Sequence, residues 1–344
     1  MMNTTNKTYN PSWVDKVQRL ADRLPLSPMS LYFVLGFLLT LILHVFHWIS
    51  GSTEQFLFTM PLTWTAIWSP LMLAMIHLLD RIASQSLAQF RPAIGIGEED
   101  YERLEYRLIT MPSRSVILTQ LLATVVFVGT VWLDPSYSGL ISGKFVSDSV
   151  IYLIGWFNIG MIFVSMYHHS RQLEIVSALH KKAKNIGLWD WIPIFAFSRL
   201  SFWTSALTVF MILPSIFIYQ TAQENIVGLV LSIAGIALAL PVFFLPLQSL
   251  NHRLVQEKMA ILEQVRRRIH DSIEELNRRV DRSDLSDMKA QHAQLAALML
   301  EQEYLEKLRT WPWPQGTFVR LIGLVALPTL LFIVQLLVQE LFFR

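Results

Sequence analysis

Cysteine is missing from all 344 residues of the sequence, and charged residues make up only 16% of it. The lack of cysteine excludes disulfide bonds, thiolate metal sites and thiol chemistry. The hydrophobic content is 53% and the mean hydropathy is +0.42, values above those of soluble domains, in which apolar residues alternate with a solvated face. The composition therefore predicts a membrane protein and argues against a soluble enzyme.

Asp, Glu, Lys and Arg are nearly absent from seven long apolar runs. Each run approaches the ~20 residues that a helix needs to cross about 30 Å of hydrocarbon. The runs cover residues 30–50, 59–79, 115–133, 147–167, 200–220, 226–248 and 318–342. We therefore predict an all-α polytopic membrane protein with seven transmembrane helices. Because pumps and ion-pair transporters need ionisable groups at membrane depth, the nearly uncharged runs argue against those mechanisms.

Basic residues mark one side of this membrane protein. Of the 28 Lys and Arg residues, all but Lys144, Arg320 and Arg344 fall in alternate gaps between the runs, and Arg320 lies at the inner edge of the last run. Since basic residues are retained in cytoplasmic loops, we expect the N-terminus and the gaps at 80–114, 168–199 and 249–317 to be cytoplasmic, and the C-terminus to be extracytoplasmic. The predicted location is the cell membrane. The same residues suit anionic headgroups, so membrane lipids, and not nucleic acid, are the expected partners.

The cytoplasmic segment before the first run, residues 1–28, has an amphipathic helical pattern. Its predicted apolar face comprises Trp13, Val17, Leu20, Ala21 and Leu24, and its polar face comprises Asp15, Lys16, Arg19, Asp22 and Arg23. The pattern suits a helix at the inner membrane interface, and equally a helix packed on the protein's own cytoplasmic loops, because both environments bury one face. A six-helix transmembrane region then occupies residues 29–248.

The long gap at 249–314 has the pattern of a helical hairpin. From Val255 to Val280, apolar residues recur at steps of three and four, which predicts one continuous amphipathic helix. About thirty residues at ~1.5 Å each extend about 45 Å, so this helix should stand clear of the headgroups. A break with capping residues follows at 281–284, and leucines then recur at steps of three and seven, as in a coiled coil. We predict a cytoplasmic stalk that folds back toward the membrane.

The returning helix of the stalk is predicted to end at the segment Trp311-Pro312-Trp313-Pro314. Each proline lacks a donor N–H and pushes the preceding residue out of helical geometry. This segment is therefore predicted to be a hinge that joins the stalk directly to the seventh transmembrane helix, within residues 315–344. A gate or a signal relay needs such a connection.

Uncharged polar residues inside the runs are candidates for function, because an unpaired buried amide is costly and should face protein or water. They are His44, His47, Asn158, Thr329, Gln335 and Gln339. In the seventh run, Pro328, Leu331, Gln335 and Gln339 lie on one stripe. We interpret this stripe as pore-lining, with Leu331 as a hydrophobic constriction and the two glutamines as a hydrated outer mouth. Hydrogen bonds between packed helices explain the same amides equally well.

The histidines of the sequence do not form a complete metal or ligand site. His44 and His47 lie three residues apart near the outer end of the first run, which allows a shared ligand or a pH-sensitive pair, although histidines in this position are more often structural. Three further histidines lack nearby paired carboxylates or cysteines that would complete a metal site, and these are His168, His169 and His180. We therefore predict no metal site and assign no ligand site.

Catalytic motifs are incomplete in this sequence. The Gly95-x-Gly97 pair lacks a third glycine and a preceding strand, so it is interpreted as a turn and not as a dinucleotide loop. The string from Arg266 to Asp271 resembles the phospho-acceptor box of sensor histidine kinases, but no ATP-binding domain follows it. No Ser-His-Asp set or paired-carboxylate site can be assembled. We predict neither enzyme activity nor a cofactor.

The order of these elements resembles the insect odorant and gustatory receptor superfamily: an inner N-terminus, short outer loops, and a last helix split into cytoplasmic and membrane halves. The gustatory receptors have Thr-Tyr, five apolar residues and Gln-Phe in the final span, whereas here Thr329-Leu330 precedes four apolar residues and Gln335-Leu336. Members of that family are tetrameric cation channels. The resemblance implies that residues 250–310 form a central anchor and that residues 318–342 line a pore.

The leading hypothesis is a homo-oligomeric, ligand-gated cation channel whose stalk assembles the subunits and whose last helix lines the pore. A second hypothesis is a non-conducting membrane sensor or scaffold that recruits a cytoplasmic protein partner through the hairpin at 250–310. A third is a transporter of a small apolar solute or lipid, which would open sideways to the bilayer.

Overall fold

The computed structural model describes residues 9–54, 56–133, 140–183, 188–189, 191–218, 239–282, 287–314 and 316–324, together with residues 326, 330 and 334. Within these residues the protein is all-α, as predicted from the sequence, and contains no strand. A single β-bridge joins Pro11 to Pro112.

Ten helices occupy the described part of the chain, and a further helical stretch covers residues 317–324. They are α1 (Trp13–Arg23), α2 (Pro28–Ile49), α3 (Met60–Ile94), α4 (Glu98–Ile109), α5 (Ser113–Leu133), α6 (Phe145–Lys182), α7 (Trp191–Phe195), α8 (Ser198–Ile218), α9 (Ala239–Asp281) and α10 (Met288–Lys307). Local sequence sets several boundaries. At the start of α2, for example, the Ser27 hydroxyl accepts the Ser30 N–H at 3.1 Å, and Pro28 occupies the first turn, where its missing N–H costs nothing.

Five helical segments are long and apolar enough to cross a membrane: α2, α3, α5, α6 and Ile192–Ile212, which includes most of α7 and α8. They overlap the first five predicted runs, so a multi-pass membrane protein is supported by length and composition. The sixth predicted run falls inside the described residues only at 239–248, where α9 begins. The seventh run is described only in part.

Two of the spanning helices are much longer than a bilayer is thick. α3 has 35 residues and α6 has 38, which correspond to about 52 and 57 Å of helix. Each of them therefore extends beyond the ~30 Å of hydrocarbon. α6 runs unbroken to Lys182, so its helix continues past the end of the apolar run at 147–167.

The turn predicted at the two glycines is also confirmed. Gly95 adopts a left-handed conformation with φ of 63° and ends α3. α4 begins immediately afterwards, and its first turn contains Glu98, Glu99 and Asp100. These carboxylates lie at the positive end of the helix dipole, which stabilises the new helix.

α3 lies at the centre of the described bundle and packs against α2, α6 and α8. The larger core cluster combines its inner half with α6, α8, α9 and the start of the last helical stretch. Its fully buried members include Leu79, Leu87, Phe90, Val176, Phe197, Leu200, Phe243, Leu247, Leu250 and Leu321. In the predicted topology this core lies on the cytoplasmic side of the described bundle.

α5 is a peripheral helix of the described bundle. It packs on α6, and only 17% of its most apolar window is buried. Leu118, Leu121 and Val125 are among its exposed side chains. An apolar face of this kind is suited to lipid, which is consistent with a membrane location.

The N-terminal helix α1 buries a different face from the one predicted. Val14, Asp15, Gln18 and Ala21 are buried, whereas Leu20 and Leu24 are 59% and 40% exposed. The assignment of Asp15 to the solvent-facing side was therefore wrong. The reason is a capping box, in which the Ser12 side chain accepts the Asp15 N–H and the Asp15 carboxylate accepts the Ser12 N–H.

Backbone contacts fix α1 against the junction between α4 and α5. The Ser12 N–H donates to the Met111 carbonyl at 3.0 Å, and the Ser113 N–H donates to the Asn10 carbonyl at 3.1 Å. In the structure α1 thus packs on the protein's own loop between α4 and α5, which was one of the two environments that the sequence allowed.

α10 runs back along α9. Lys258 of α9 donates to the carbonyls of Glu306 and Leu308 at 2.7 and 2.8 Å. An apolar contact between the two helices lies beside these bonds and consists of Leu262, Val265, Leu305 and Leu308. Arg279 of α9 lies 3.8 Å from Asp287 just before α10, so the two helices are antiparallel.

Candidate functional site

Three polar side chains meet between α3 and α6, and we refer to Asp80, His168 and Gln172 as the inner polar cluster. His168 Nε2 lies 2.6 Å from Asp80 Oδ1, and Gln172 Nε2 lies 2.7 Å from the same oxygen. The two nitrogens are 3.2 Å apart. Asp80 is only 7% exposed, His168 0% and Gln172 1%. A carboxylate, an imidazole and an amide are therefore held together away from solvent.

The lengths of the helices explain why these polar groups are tolerated there. Asp80 comes twenty residues after the outer end of α3, which at ~1.5 Å per residue corresponds to about 30 Å, the thickness of the hydrocarbon. The inner polar cluster is therefore expected at the inner membrane edge. His168 and Gln172 are four residues apart and so lie on one face of α6, which brings both to Asp80.

Each member of the inner polar cluster also has a buried atom without a hydrogen-bond partner within the described part of the chain. These atoms are Asp80 Oδ2, His168 Nδ1 and Gln172 Oε1. Leaving a buried polar atom unpaired costs about 1–3 kcal/mol and is uncommon in folded proteins. Three such atoms on mutually bonded side chains indicate that the cluster has capacity for a further polar contact.

A second polar group lies just outside the cluster and joins α1, α2 and α3. His77 Nδ1 is 3.0 Å from the Tyr32 hydroxyl, and His77 Nε2 is 3.2 Å from Asp22. The Asp22 carboxylate also accepts from Arg81 at 2.8 Å. Because the carboxylate needs a donor, Nε2 of His77 carries the proton and Nδ1 accepts from the tyrosine. All the polar atoms of this imidazole are satisfied, so it is a structural connection.

The carboxylate of Asp15, at the start of α1, is buried. It accepts the Met111 N–H at 3.2 Å, in addition to its capping contacts with Ser12. Burial raises the pKa of the Asp15 carboxyl above its usual range, although the hydrogen bonds from Ser12 and Met111 oppose that change. Asp15 also interacts electrostatically with His168, so α1 adds a second buried acid near the imidazole.

Asn158 faces protein, as predicted for a buried amide. Its Nδ2 donates to the Thr65 carbonyl at 2.8 Å, and its Oδ1 accepts from Ser69. These bonds connect α6 to α3 closer to the outer side than the inner polar cluster. The residue is therefore explained as an interhelical hydrogen bond.

The two outer histidines are also held by the protein itself. His44 Nδ1 lies 2.8 Å from the Thr40 carbonyl, so this nitrogen is the donor, and Nε2 accepts the Thr59 N–H at 3.1 Å. His44 thus satisfies a backbone group at the start of α3. His47 is buried, and it forms no joint site with His44 in the contacts of the described residues.

His180, another histidine considered as a ligand, connects α6 to α9. Its Nδ1 lies 3.0 Å from the Pro246 carbonyl, and its ring packs edge-on against Phe90 and Phe197. Arg253 of α9 donates to the His180 and Ala183 carbonyls at 2.7 and 2.6 Å, which caps the end of α6. These contacts make His180 a packing residue between two helices.

The predicted hinge packs against the membrane end of α9. Trp311 and Trp313 stack on each other with ring centroids 4.5 Å apart. The Trp313 ring is 5.2 Å from Phe243 and 5.6 Å from Phe244. We refer to these residues and Phe318, whose ring is 5.8 Å from Phe244, as the aromatic junction. Pro312 and Pro314 lie in the non-helical segment between α10 and the helical stretch at 317–324.

The predicted pore-lining stripe cannot be placed in the same way. Pro328, Leu331, Gln335 and Gln339 lie outside the residues that the structure describes. The stripe remains a prediction from the sequence.

No protein-family model, no curated protein and no solved structure matches this chain.

The inner polar cluster was missed at the level of the sequence because its members are 88 and 92 residues apart. Asp80 was assigned to a cytoplasmic gap. His168 was rejected as a metal ligand because no carboxylate lies near it in the sequence. The sequence did contain a signal. Asp80 directly follows the apolar run at 59–79 and His168 directly follows the run at 147–167, so both residues are predicted at the same depth in the membrane. Chemically, the cluster connects α3 to α6 by two hydrogen bonds to one buried carboxylate oxygen. Among the described residues, no group of three or more His, Cys, Asp or Glu is placed to hold a metal ion.

Proposed function

We propose that the protein is a seven-span membrane channel in which identical subunits assemble through the α9–α10 stalk and conduct cations along the last helix, under the control of a small ligand. In this proposal the N-terminus and the stalk are cytoplasmic and the C-terminus is extracytoplasmic. The five apolar helices support a multi-pass membrane location, and the distribution of Lys and Arg supports the orientation. The resemblance to insect odorant and gustatory receptors supports a pore lined by residues 318–342.

The observation that carries the proposal is the connection between the stalk and the last helix. α9 is a single helix of 43 residues, α10 returns along it, and the aromatic junction then attaches the chain to α9 immediately before residues 317–324. A displacement of the stalk is therefore transmitted to the start of the last helix over a few residues. Channels with a cytoplasmic assembly domain need such a coupling.

Cation flux through the purified protein in liposomes tests conduction. The unmodified protein should pass monovalent cations down a gradient, and Gln335→Lys should lower the flux about tenfold, because a fixed positive charge in a narrow pore repels cations. Leu331→Trp should also lower it, by filling the constriction. Leu121→Trp on α5, at a site that is 58% exposed on the lipid-facing side, is the matched control and should conduct normally. Absence of flux, or flux unchanged in both pore variants, contradicts the proposal.

Exposed apolar side chains on α10 support assembly through the stalk. Met299 and Leu300 are 58% and 68% exposed, although the neighbouring charges Glu303 and Lys307 pair with each other. Such a patch is typical of a protein–protein interface. It also suits the alternative function, a non-conducting scaffold that binds a different cytoplasmic protein.

Disulfide crosslinking in membranes distinguishes the homo-oligomer from the scaffold. Because the chain contains no cysteine, a single introduced cysteine can crosslink only to the same position of another copy of the chain. Leu300→Cys should give a covalent dimer on mild oxidation if identical subunits meet at α10. Gln294→Cys is the control, since it is exposed on the same helix but lies about 120° around it. Efficient crosslinking of Leu300→Cys alone supports the homo-oligomer. If neither variant crosslinks and a different protein copurifies with the stalk, the scaffold is supported.

A further inference from the structure

The side of α1 that points away from the protein combines apolar and basic residues. Lys16, Leu20 and Arg23 follow one another at steps of four and three residues, so they share one face of the helix, and Leu24 adjoins Leu20 one turn later. All four are exposed. The buried residues of the helix lie on the opposite side, and they are Val14, Asp15, Gln18 and Ala21. We refer to the four exposed residues as the outward face of α1.

The outward face carries positive charge that no acid of α1 balances. Among the described residues, the side chains of Lys16 and Arg23 form no ion pair. Both acids of the helix are used elsewhere, since Asp15 is buried in its capping contacts and Asp22 accepts from Arg81 at 2.8 Å. Two cations on either side of an exposed leucine favour a partner that is apolar and anionic.

Contacts of α1 place it at the depth of the apolar runs. The Trp13 ring is 5.7 Å from that of Phe157, which lies twelve residues, or about 18 Å, after the start of α6. Near the other end of α1, Asp22 lies 3.2 Å from His77, which comes seventeen residues, or about 26 Å, after the start of α3. Both distances are shorter than the ~30 Å thickness of the hydrocarbon. α1 therefore lies across the side of the bundle at the level of lipid, and not beyond the membrane.

The outward face also continues into the exposed apolar surface of α2. Four residues separate the two helices, and Leu26 among them is exposed. On α2 itself, Met29 and Phe33 are one turn apart and exposed, and Phe33 is 76% exposed. A helix that lies in the plane of the membrane next to such a surface meets the boundary between acyl chains and headgroups.

We propose that the outward face of α1 binds a membrane surface that contains anionic lipids. Leu20 and Leu24 lie against the acyl chains, and Lys16 and Arg23 extend to the lipid phosphates. The long aliphatic stems of lysine and arginine allow their charges to reach the headgroups while the leucines remain in the apolar layer. Because each basic residue at the surface attracts anionic lipid, the bound lipids should be enriched in acidic headgroups. α1 is then held between the bundle on one side and lipid on the other.

This surface is separate from the proposed pore and stalk, since all of its residues belong to α1. Loss of conduction in the pore variants therefore has no bearing on it, and lipid can bind to a protein that conducts nothing. The proposal also does not depend on the orientation of the protein, because reconstituted bilayers contain the anionic lipid in both leaflets.

Fluorescence quenching in liposomes that contain phosphatidylglycerol tests the position of α1. Leu20→Cys in the full-length chain, which has no other cysteine, takes one environment-sensitive label. Lipids with a nitroxide near the headgroup should quench about half or more of its emission, and aqueous iodide should have little effect, because the label lies at the interface. Gln294→Cys, at an exposed position of α10, is the control and should show the opposite response.

Thermal unfolding in detergent micelles tests the headgroup, since a ligand that binds only the folded state raises the unfolding temperature. Phosphatidylglycerol should raise it more than phosphatidylcholine does, and Lys16→Gln combined with Arg23→Gln should lose about half or more of that difference. The matched control combines Arg267→Gln with Arg268→Gln, which changes the net charge equally at exposed positions of α9, about 30 Å beyond residue 248. It should retain the difference. Soluble glycerol phosphate should not reproduce it.

The outcomes are distinct. Quenching of the Leu20 label by lipid, with loss of the phosphatidylglycerol effect only in the α1 variant, supports the proposal. Quenching by iodide overturns it, and so does shielding from both quenchers, which would indicate a protein on this face. Equal responses of the two double variants, or equal stabilisation by glycerol phosphate, also overturn it. If the α1 variant does not fold, the label decides, because lipid quenching should weaken when phosphatidylcholine replaces phosphatidylglycerol.

Discussion

Replacement of His168 by leucine is expected to lower the free energy of unfolding by about 1–3 kcal/mol, because the buried Asp80 carboxylate loses a hydrogen-bond donor. Asp80 would keep its hydrogen bond from Gln172, but Oδ1 would lose its contact with the imidazole between α3 and α6. Leucine fills most of the volume of the imidazole, so the loss reports the hydrogen bond and not a cavity. Denaturation of the purified protein in mixed micelles measures it.

A double variant separates this hydrogen bond from general disruption. Combining Asp80→Leu with His168→Leu removes both partners of the bond, so the double variant should lose less stability than the two single variants together, with a coupling energy of about 1–2 kcal/mol. If the losses of the two single variants simply add in the double variant, the two side chains do not form a coupled pair.

Replacement of Phe243 by alanine is expected to cost about 3–5 kcal/mol, because a fully buried phenylalanine leaves a cavity that the core cannot close completely. The cavity would open in the aromatic junction, where the Phe243 ring contacts Phe244 and Trp313 at centroid distances of 5.2 Å each. The same substitution should loosen the attachment of residues 311–314 to α9. Trp fluorescence should therefore report a more solvent-exposed environment.

The matched control for this prediction is Phe210→Ala. Phe210 belongs to α8 and is 50% exposed, so it leaves no enclosed cavity and should cost about 1 kcal/mol or less. Similar losses in the two variants would show that the aromatic junction is loosely packed. Unchanged fluorescence in Phe243→Ala would show that the tryptophans are held by other contacts.

The sequence predicted the helices well because their signals are local. The apolar run at 147–167 predicted a helix, and α6 covers the whole run. Gly95 indicated a turn, and its positive φ confirms it. In each case the information lies within a few residues of the feature.

Residues that depend on distant partners were harder to predict. The helical period assigned Asp15 to the polar face of α1, but its acceptor oxygens are needed by the N–H of Met111, 96 residues away. His168 looked isolated because its carboxylate is on another helix, 88 residues away. A single sequence contains no record of which helix faces are neighbours, so both roles depend on packing. The hinge shows the same division: its prolines predicted the end of the helix, but not the packing of its tryptophans against α9.

The docking of α1 also has a consequence for the order in which the protein is made. Tyr9 donates to the carbonyl of Thr110, and the Ser12 N–H donates to that of Met111, so α1 cannot reach its final place until the ribosome has synthesised more than a hundred residues. Before that, α2 and α3 have already emerged. During this interval α1 lacks its contacts with Thr110 and Met111, and its amphipathic surface suits the membrane interface. The two environments that the sequence allowed for α1 can therefore be successive stages in the biogenesis of one chain.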